Sequence, residues 1–232
     1  MSDELIEALD SANAGRMPSP FGRMEIVVPG APVSVQSNKA VRNAYLSGIK
    51  SQLARFQFLL TGQLILNITW LLSAKSRYET DAKADIDNCL KPIIDAFTGP
   101  DGLFVDDCQL QGLYICWRHS DSHGERLLFE FEFTADEYCD KDGLAFLRLE
   151  RGLCVPVNLH WSPEIRDIWV SMLKKGELTK SVLEALDVGY LPLAGLIGGG
   201  QPYHVTRVQS FPLLEIGEYL TSGTAFREQK KV

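Results

Sequence analysis

Alternating apolar and polar positions predict the strands in the first half of the chain. From Glu125 to Phe133, leucine and phenylalanine side chains recur at every second position, which is typical of a strand with one buried face. The run Leu64–Leu72 is almost continuously apolar, as expected for a strand buried on both sides of a sheet. Met24–Val28 and Gln109–Arg118 predict two further strands, so this region should contain a small sheet.

Two segments of the same region have apolar residues at helical spacing, which predicts two helices packed on the sheet. The first lies between Ala40 and Phe58, and the second begins near Ile86 and ends at the stop signal Gly99-Pro100. The predicted inward residues are Val41, Tyr45, Ile49, Leu53 and Phe56 in the first helix, and Ile86, Leu90, Ile93, Ile94 and Phe97 in the second. A mixed small sheet with packed helices makes the predicted fold class α+β.

The last hundred or so residues predict a mostly helical C-terminal extension. Ser162-Pro163-Glu164 is a strong helix start, with a capping serine and proline at the first helical position. We expect that helix to bury Ile165, Ile168, Trp169 and Met172, and a second helix to begin near Thr179. A strand at Tyr203–Phe211 and a last helix from Pro212 complete the extension. The predicted organisation is an N-terminal arm over residues 1–22, a first domain over 23–134 and an extension over 135–232.

The composition is that of a globular protein outside the membrane. The chain has 232 residues, of which 45% are hydrophobic, and no apolar run approaches the ~20 residues that a membrane helix needs. The N-terminus MSDELIEALD is acidic and does not resemble a signal peptide. Its five cysteines are scattered without C-x-x-C spacing, which favours a reducing compartment and a cytoplasmic location.

The net charge of −7 is unusual for a nucleic-acid-binding protein, but the charge is unevenly distributed. Between Ile26 and Lys83 the only acidic residues are Glu79 and Asp81. The basic residues of this segment include Lys39, Arg42, Lys75, Arg77 and Lys83. A local basic field can attract a polyanion whatever the total charge, although a solvated surface helix would have the same composition.

The segment Asp81–Asp107 concentrates carboxylates around the second predicted helix. Asp85 and Asp87 form a D-x-D at its start, and the pair Asp106-Asp107 follows a short apolar stretch after its end. Helix capping explains such aspartates without any function. If a strand through Leu103–Val105 returns beside the helix, however, the carboxylates meet in one volume. They then repel each other unless they are protonated or bridged by a cation such as Mg²⁺.

Three further residues of this segment bear on such a site. Lys91 lies one turn after Asp87 and can pair with a carboxylate or contact phosphate. Pro92 falls inside the predicted helix, where it cannot donate to the carbonyl of Asn88. That carbonyl either points to solvent at a slight kink or faces a metal-ordered water, while the side chain of Asn88 braces one of the aspartates.

Together these residues resemble the RusA-type Holliday junction resolvases over roughly Met24–Thr134. The family pattern is D-x-D-N, a lysine four residues after the second aspartate, a glycine turn, and an Asp-Asp pair followed by glutamine. The positions that carry it here are Asp85, Asp87, Asn88, Lys91, Gly99, Asp106, Asp107 and Gln109. The turn before Phe104 is slightly longer than the family pattern, which leaves Asp106 and Asp107 as alternative third ligands.

The resemblance implies a Mg²⁺-dependent endonuclease that resolves four-way DNA junctions in recombination and repair. Asp85, Asp87 and Asp107 would hold the metal with the assistance of Lys91, and the chain would act as a homodimer on branched DNA. The basic residues Lys39, Arg42, Lys75, Arg77 and Lys83 are the expected nucleic-acid contacts.

An alternative function is a non-catalytic nucleic-acid-binding or regulatory module on the same fold. In that case the function would reside in the C-terminal extension. Its helices and strand could form a winged-helix DNA reader. The region carries eleven Lys and Arg against thirteen Asp and Glu, so a dimer or partner surface is an equal alternative.

Overall fold

The computed structural model describes residues 15–34, 36–79, 86–120, 124–190, 195–197 and 201–229, with the backbone alone at Asp87 and at 223–229. The chain divides into two compact units, and the division falls between Tyr138 and Cys139. Each unit has its own cluster of buried apolar residues. Mixed sheets and packed helices confirm the predicted α+β class.

The first unit contains a four-stranded mixed sheet in the order β1–β5–β3–β4. These strands are β1 (Arg23–Pro29), β3 (Leu64–Leu72), β4 (Leu110–His119) and β5 (Arg126–Phe133). β5 is antiparallel to both β1 and β3, whereas β4 is parallel to β3, with Trp70 opposite Trp117 and Leu72 opposite His119. All four strands follow the sequence prediction closely, because a face that alternates or is wholly apolar must be buried against something.

Three helices accompany this sheet: α1 (Lys39–Leu53), α2 (Ala74–Tyr78) and α3 (Ile86–Phe97). α3 packs against α1 and buries its apolar stripe in the core. Phe97 reaches the middle of the sheet, with its ring 4.7 Å from that of Phe129 and 5.3 Å from that of Phe131. The position of α3 is therefore fixed by apolar packing, which leaves its polar residues at the surface.

The first predicted helix is shorter than expected. α1 ends at Leu53, and Phe58 begins the strand β2 (Phe58–Leu60) instead of continuing the helix. Phe56 and Phe58 pack edge to face at 5.5 Å, so the chain uses them as a compact corner. Val41, expected to face inward, is 56% exposed because it lies in the first turn, whereas Ile49 and Leu53 are buried.

The second unit contains a four-stranded sheet in the order β10–β7–β8–β9, which the sequence analysis did not predict. Its strands are β7 (Leu144–Arg148), β8 (Leu153–Asn158), β9 (Tyr203–His204) and β10 (Leu213–Leu214). A short strand, β6 (Tyr138–Asp140), spans the division between the units. Two helices, α4 (Pro163–Ala185) and α5 (Ile216–Gln229), pack against each other.

The start of α4 was predicted correctly, but of its four predicted inward residues only Trp169 packs against the core. Ser162 caps the helix, and its hydroxyl accepts a hydrogen bond from the Ile165 amide at 3.4 Å. Ile165, Ile168 and Met172 are 50%, 62% and 57% exposed, because α4 instead buries the face that carries Arg166, Val170 and Leu173. The helix also continues through Thr179 to Ala185, so the predicted second helix is the second half of α4.

Two further predictions for this unit were wrong. The strand predicted at Tyr203–Phe211 is limited to Tyr203–His204 and is followed by a 3₁₀ turn at Val205–Arg207. The last helix begins at Ile216 instead of Pro212, since Leu213–Leu214 pairs with β7. Within the parts of the chain that the structure describes, every helix is too short or too polar to cross a membrane.

Candidate active site

The first turns of α3 carry the polar residues of the predicted site. Cys89 and Ile93 on the inner side are almost fully buried, which holds Asn88 and Lys91 toward the outer side of the helix. Asp87 belongs to the first turn of α3, but its side chain lies outside the described residues. Asp85 and Lys83 also lie outside them.

Lys91 makes a hydrogen-bonded ion pair with Asp95, one helical turn further along α3. Its Nζ lies 3.1 Å from Asp95 Oδ1, and the two side chains are 71% and 49% exposed. An exposed pair at this spacing contributes only about 0.3–0.5 kcal/mol, because water and salt screen the charges. The ammonium group can therefore leave Asp95 for a stronger anion at little cost. The sequence analysis did not name Asp95, although its spacing from Lys91 is visible in the sequence.

The two aspartates of the pair have different roles in the local structure. Asp106 caps the 3₁₀ turn Asp107–Gln109, and its Oδ1 accepts a hydrogen bond from the Cys108 amide at 3.0 Å. Asp107, the first residue of that turn, is exposed. The carboxylate of Asp106 thus holds the turn, and Asp107 is an exposed residue within it.

The side chain of Gln109 holds the capped 3₁₀ turn Asp106–Gln109, called the acidic turn below, in place through hydrogen bonds. Its side chain is fully buried, and its Oε1 accepts hydrogen bonds from the amides of Val105 at 2.7 Å and Asp106 at 3.0 Å. Its Nε2 donates to the carbonyls of Leu60 at 3.0 Å and Gly62 at 2.7 Å. One buried amide therefore ties the acidic turn to the end of β2 and bonds to four backbone groups, through three buried hydrogen bonds and one that is partly buried.

The chain between α3 and the acidic turn folds back on the end of that helix. The predicted strand through Leu103–Val105 is reduced to single bridges of Phe104 with Leu60 and Thr98. The Gly99 amide donates to the Val105 carbonyl at 3.2 Å, which keeps Val105, the residue before Asp106, beside the residue that follows Thr98 at the end of α3. Asp87 lies ten residues before Phe97, or about 15 Å along the helix axis.

The four-aspartate metal site remains a prediction. Among the described residues, which omit the side chains of Asp85 and Asp87, no group of three histidine, cysteine, aspartate or glutamate side chains could hold a metal ion.

The predicted nucleic-acid contacts lie on two helices. Lys39 is exposed and Arg42 half-buried in the first turn of α1, after the capping residue Asn38. Lys75 and Arg77 lie on α2, where Lys75 pairs with Glu79 at 3.9 Å. This exposed pair is also weak, so it leaves Lys75 able to contact another anion.

An aromatic cluster at the ends of β3 and β4 was missed by the sequence analysis. The rings of Trp70 and Trp117 stack at 5.1 Å with planes 10° apart, and the Arg77 guanidinium lies 3.3 Å from the centre of the Trp117 ring. The signal was the equivalent position of the two tryptophans in neighbouring strands, but the register of β3 against β4 is not readable from either strand alone.

The comparisons with known proteins agree with the predicted resemblance. Residues 31–126 match the family model described as endodeoxyribonuclease RusA. The match covers less than half of the chain and includes β3, α3, the acidic turn and β4. A comparison with curated proteins finds no match. The RusA-type resemblance is therefore confirmed for this segment.

Proposed function

We propose that this protein is a structure-selective nuclease that resolves four-way DNA junctions in recombination and repair, because residues 31–126 match the family model described as endodeoxyribonuclease RusA. The family that this segment matches implies junction-resolving endonuclease activity. The proposal also specifies the metal, the residues that hold it, the DNA contacts and the oligomeric state. We place the reaction in the cytoplasm.

The proposed metal is Mg²⁺, held by Asp85, Asp87 and Asp107. The donor set suits it, because carboxylate oxygens are the ligands of a hard cation and three of them leave room for water and phosphate. Asp107 fits this role since it is exposed on a turn that Gln109 holds in place, whereas Asp106 is engaged in capping. When bound, the ion would lower the pKa of a water and stabilise charge on the phosphate.

Two residues on α3 are proposed to support these ligands. Lys91 exchanges its weak pairing with Asp95 for the phosphate, where its positive charge stabilises the negative charge that develops during cleavage. Asn88, half-buried one position after Asp87, braces one of the aspartates through its side-chain amide. Pro92, which lies inside α3 as predicted, leaves the Asn88 carbonyl without its usual helical donor.

The proposed DNA contacts are phosphate contacts by Lys39, Arg42, Lys75, Arg77 and Lys83. The first four lie on α1 and α2, and the exposed or half-buried state of each leaves its charge accessible to a phosphate. Such contacts bind backbone without reading sequence. The fraction of affinity that they supply should fall steeply as salt rises.

A homodimer is proposed because a four-way junction presents two equivalent strands to be cut. The exposed face of α4 fits a second copy of the chain, since its large apolar residues recur at heptad positions, with Lys175 and Thr179 filling the two middle positions. The apolar residues of this α4 stripe are Ile165, Ile168, Met172, Val182 and Leu186, each at least half exposed. The neighbouring Leu178 is also exposed, at 67%.

The test of this function is cleavage of a labelled synthetic four-way junction in Mg²⁺ and in EDTA. We expect nicks near the branch point that require the metal and that Asp107→Asn abolishes. Asp101→Asn is the matched control, because Asp101 is an exposed aspartate in the same turn region. A junction that is bound but never cut would favour the alternative, a non-catalytic module.

Calorimetric titration of Mn²⁺ in the absence of DNA tests the ligand set separately from cleavage. Asp87→Asn and Asp107→Asn should each weaken binding by at least the ~10–100-fold that loss of a supporting hydrogen bond costs. If Asp107→Asn leaves the affinity unchanged while Asp87→Asn lowers it, the two residues do not share a site.

A further inference from the structure

The aromatic cluster at the ends of β3 and β4 is built in layers from the core outward. Trp70 is 1% exposed, and its indole nitrogen donates to Glu125 at 2.9 Å, which fixes the inner ring. Trp117 stacks on it, and the Arg77 guanidinium covers the outer face of Trp117 at 3.3 Å. A guanidinium at this distance from a tryptophan ring is held by cation–π attraction, so Arg77 has a defined position at the surface.

Tyr78 stands beside this stack with most of its ring in water. It is 72% exposed, the largest exposure among the large hydrophobic residues that the structure describes. Its ring centre is 5.5 Å from that of His119 at 50°, and its hydroxyl lies 3.4 Å from His119 Nε2. The Arg77 guanidinium is 5.9 Å from the tyrosine ring. Two π faces and a cation therefore meet at one point of the surface.

The strand ends hold this arrangement together. Leu72 pairs with His119 across β3 and β4, and the Ser120 amide donates to the Leu72 carbonyl at 3.0 Å. α2 begins two residues later, capped by Ser73, whose hydroxyl accepts from the Ser76 amide at 3.1 Å. The position of Tyr78 thus follows from the sheet register and a capped helix, and the chain continues from it toward the acidic segment at Asp85.

We infer that Tyr78 and His119 form a stacking site for an unpaired nucleobase of DNA, with Arg77 contacting the adjoining backbone. Every base has a π face, so stacking on exposed aromatic rings recognises unpaired nucleotides whatever their sequence. In a continuous duplex both faces of each base are already stacked, whereas bases at a branch point are more easily exposed. The site therefore selects branched over linear DNA, and this inference rests on the proposed function.

Phosphate attraction alone does not account for the cluster. A phosphate contact would need the Arg77 charge but neither an exposed tyrosine nor an ordered ring beneath the guanidinium. Lys75 and Arg77 flank the aromatic surface on the same short helix, which suits a strand whose backbone and bases are bound side by side.

The test uses the full-length chain in EDTA, so that DNA is bound but not cut. Its probes are a four-way junction with 2-aminopurine next to the branch point, a linear duplex of the same arm sequence and a single-stranded oligonucleotide. The variants are Tyr78→Leu, which removes the ring, and Tyr78→Phe, which keeps it. Tyr114→Leu is the matched control, since Tyr114 is a 60% exposed tyrosine on β4.

We expect Tyr78→Leu to lose roughly tenfold in affinity for the junction and the single strand, with little change for the duplex. It should also lose the change in 2-aminopurine fluorescence that the wild type produces. Tyr78→Phe and Tyr114→Leu should behave as the wild type. Equal affinities of Tyr78→Leu and the wild type for all three DNAs would overturn the stacking site, as would an equal loss on the duplex.

Failure of the proposed function gives a different result. If the wild-type protein neither prefers nor cuts junctions, that function fails, and the single-strand arm still decides whether Tyr78 stacks on a base. If junctions are cut normally by Tyr78→Leu and bound with unchanged affinity, the nuclease function stands and the stacking site is wrong.

Discussion

Gln109 illustrates how a single buried side chain sets the geometry of the acidic turn. Its carboxamide offers two donors and an acceptor oxygen, and all are used by backbone groups of Leu60, Gly62, Val105 and Asp106. A leucine or glutamate cannot match this pattern, because leucine has no polar atoms and an ionised glutamate has no donors. The turn that presents Asp107 therefore depends on an amide at this position.

Replacing Gln109 with leucine should destabilise the first unit by about 2–5 kcal/mol, since two amides and two carbonyls, all but the Asp106 amide in buried hydrogen bonds, would lose their partner. Urea unfolding followed by circular dichroism measures the change. Gln111→Leu is the control, because Gln111 is exposed and bonds to the exposed Gln63. A loss for Gln109→Leu no larger than that of the control would show that water replaces the lost bonds.

At the scale of single residues, the sequence predicted a set of candidate site residues but not how they are arranged. Asp106 and Asp107 were alternative ligands in the sequence, and their different roles follow from one capping bond at Cys108. Tyr78 and Trp117 carried no pattern at all, because side chains from separate elements meet only when the register of the sheet is known. The positions of Asp85 and the carboxylate of Asp87 remain predictions.

Among the helices and strands, α4 is the one for which apolar periodicity most clearly predicted the wrong buried face. The sequence contains two candidate faces, and the more apolar one was expected to be buried. The structure buries Arg166 instead, whose guanidinium donates to the carbonyl of Tyr219 at 2.7 Å, to the Ser222 hydroxyl at 2.8 Å and to the Leu159 carbonyl. A charged side chain can occupy a core position when its donors are satisfied in this way.

The length and the apolar pattern of each strand decided whether the sequence could predict it. β3 and β5 are long and strongly patterned, so their burial could be predicted from the sequence. β7 and β8 are short apolar runs without alternation, and β8 contains Pro156, which argues against a strand. The two-residue strands β9 and β10 form only because the longer β7 and β8 offer free edges to them.

The exposed stripe of α4 predicts self-association through this helix. Ile168→Glu combined with Met172→Glu should convert a dimer to a monomer, because two charges would enter the N-terminal half of the apolar stripe. Sedimentation equilibrium measures the mass, and Ser181→Glu is the control, as an exposed residue of α4 outside the stripe. A double variant that remains a dimer would show that the subunits associate elsewhere.

At the scale of the molecule, each unit has its own core, and titration of the buried Tyr219 can probe the core of the second unit. Tyr219 is fully buried in the second core, and its hydroxyl donates to the Asn158 carbonyl at 3.2 Å. Burial raises the pKa of Tyr219 to about 12, although the nearby Arg166 acts in the opposite direction. The folded state therefore holds this proton more tightly than the unfolded state does.

The free energy of unfolding of the second unit should fall between about pH 10 and pH 12, by up to roughly 1.4 kcal/mol per pH unit. Below pH 10 both states keep the proton, so Tyr219 adds no pH dependence there. Tyr219→Phe should reduce the alkaline slope, as measured by denaturant unfolding at several pH values. Tyr190→Phe, at a 53% exposed position of the same unit, should leave the slope unchanged. An identical slope in Tyr219→Phe would contradict the assignment.

The strand order of the first sheet also determines when this protein can fold during its synthesis. β1 pairs with β5, roughly 100 residues later in the chain, and β5 also forms one side of the central strand β3. A ribosome therefore releases β1 and β3 before β5, the strand that joins them, emerges. Over that interval the apolar run Leu64–Leu72 has no partner on its β5 side, and such segments are prone to aggregation. We therefore expect the nascent chain to need protection by chaperones until about residue 133 has left the exit tunnel.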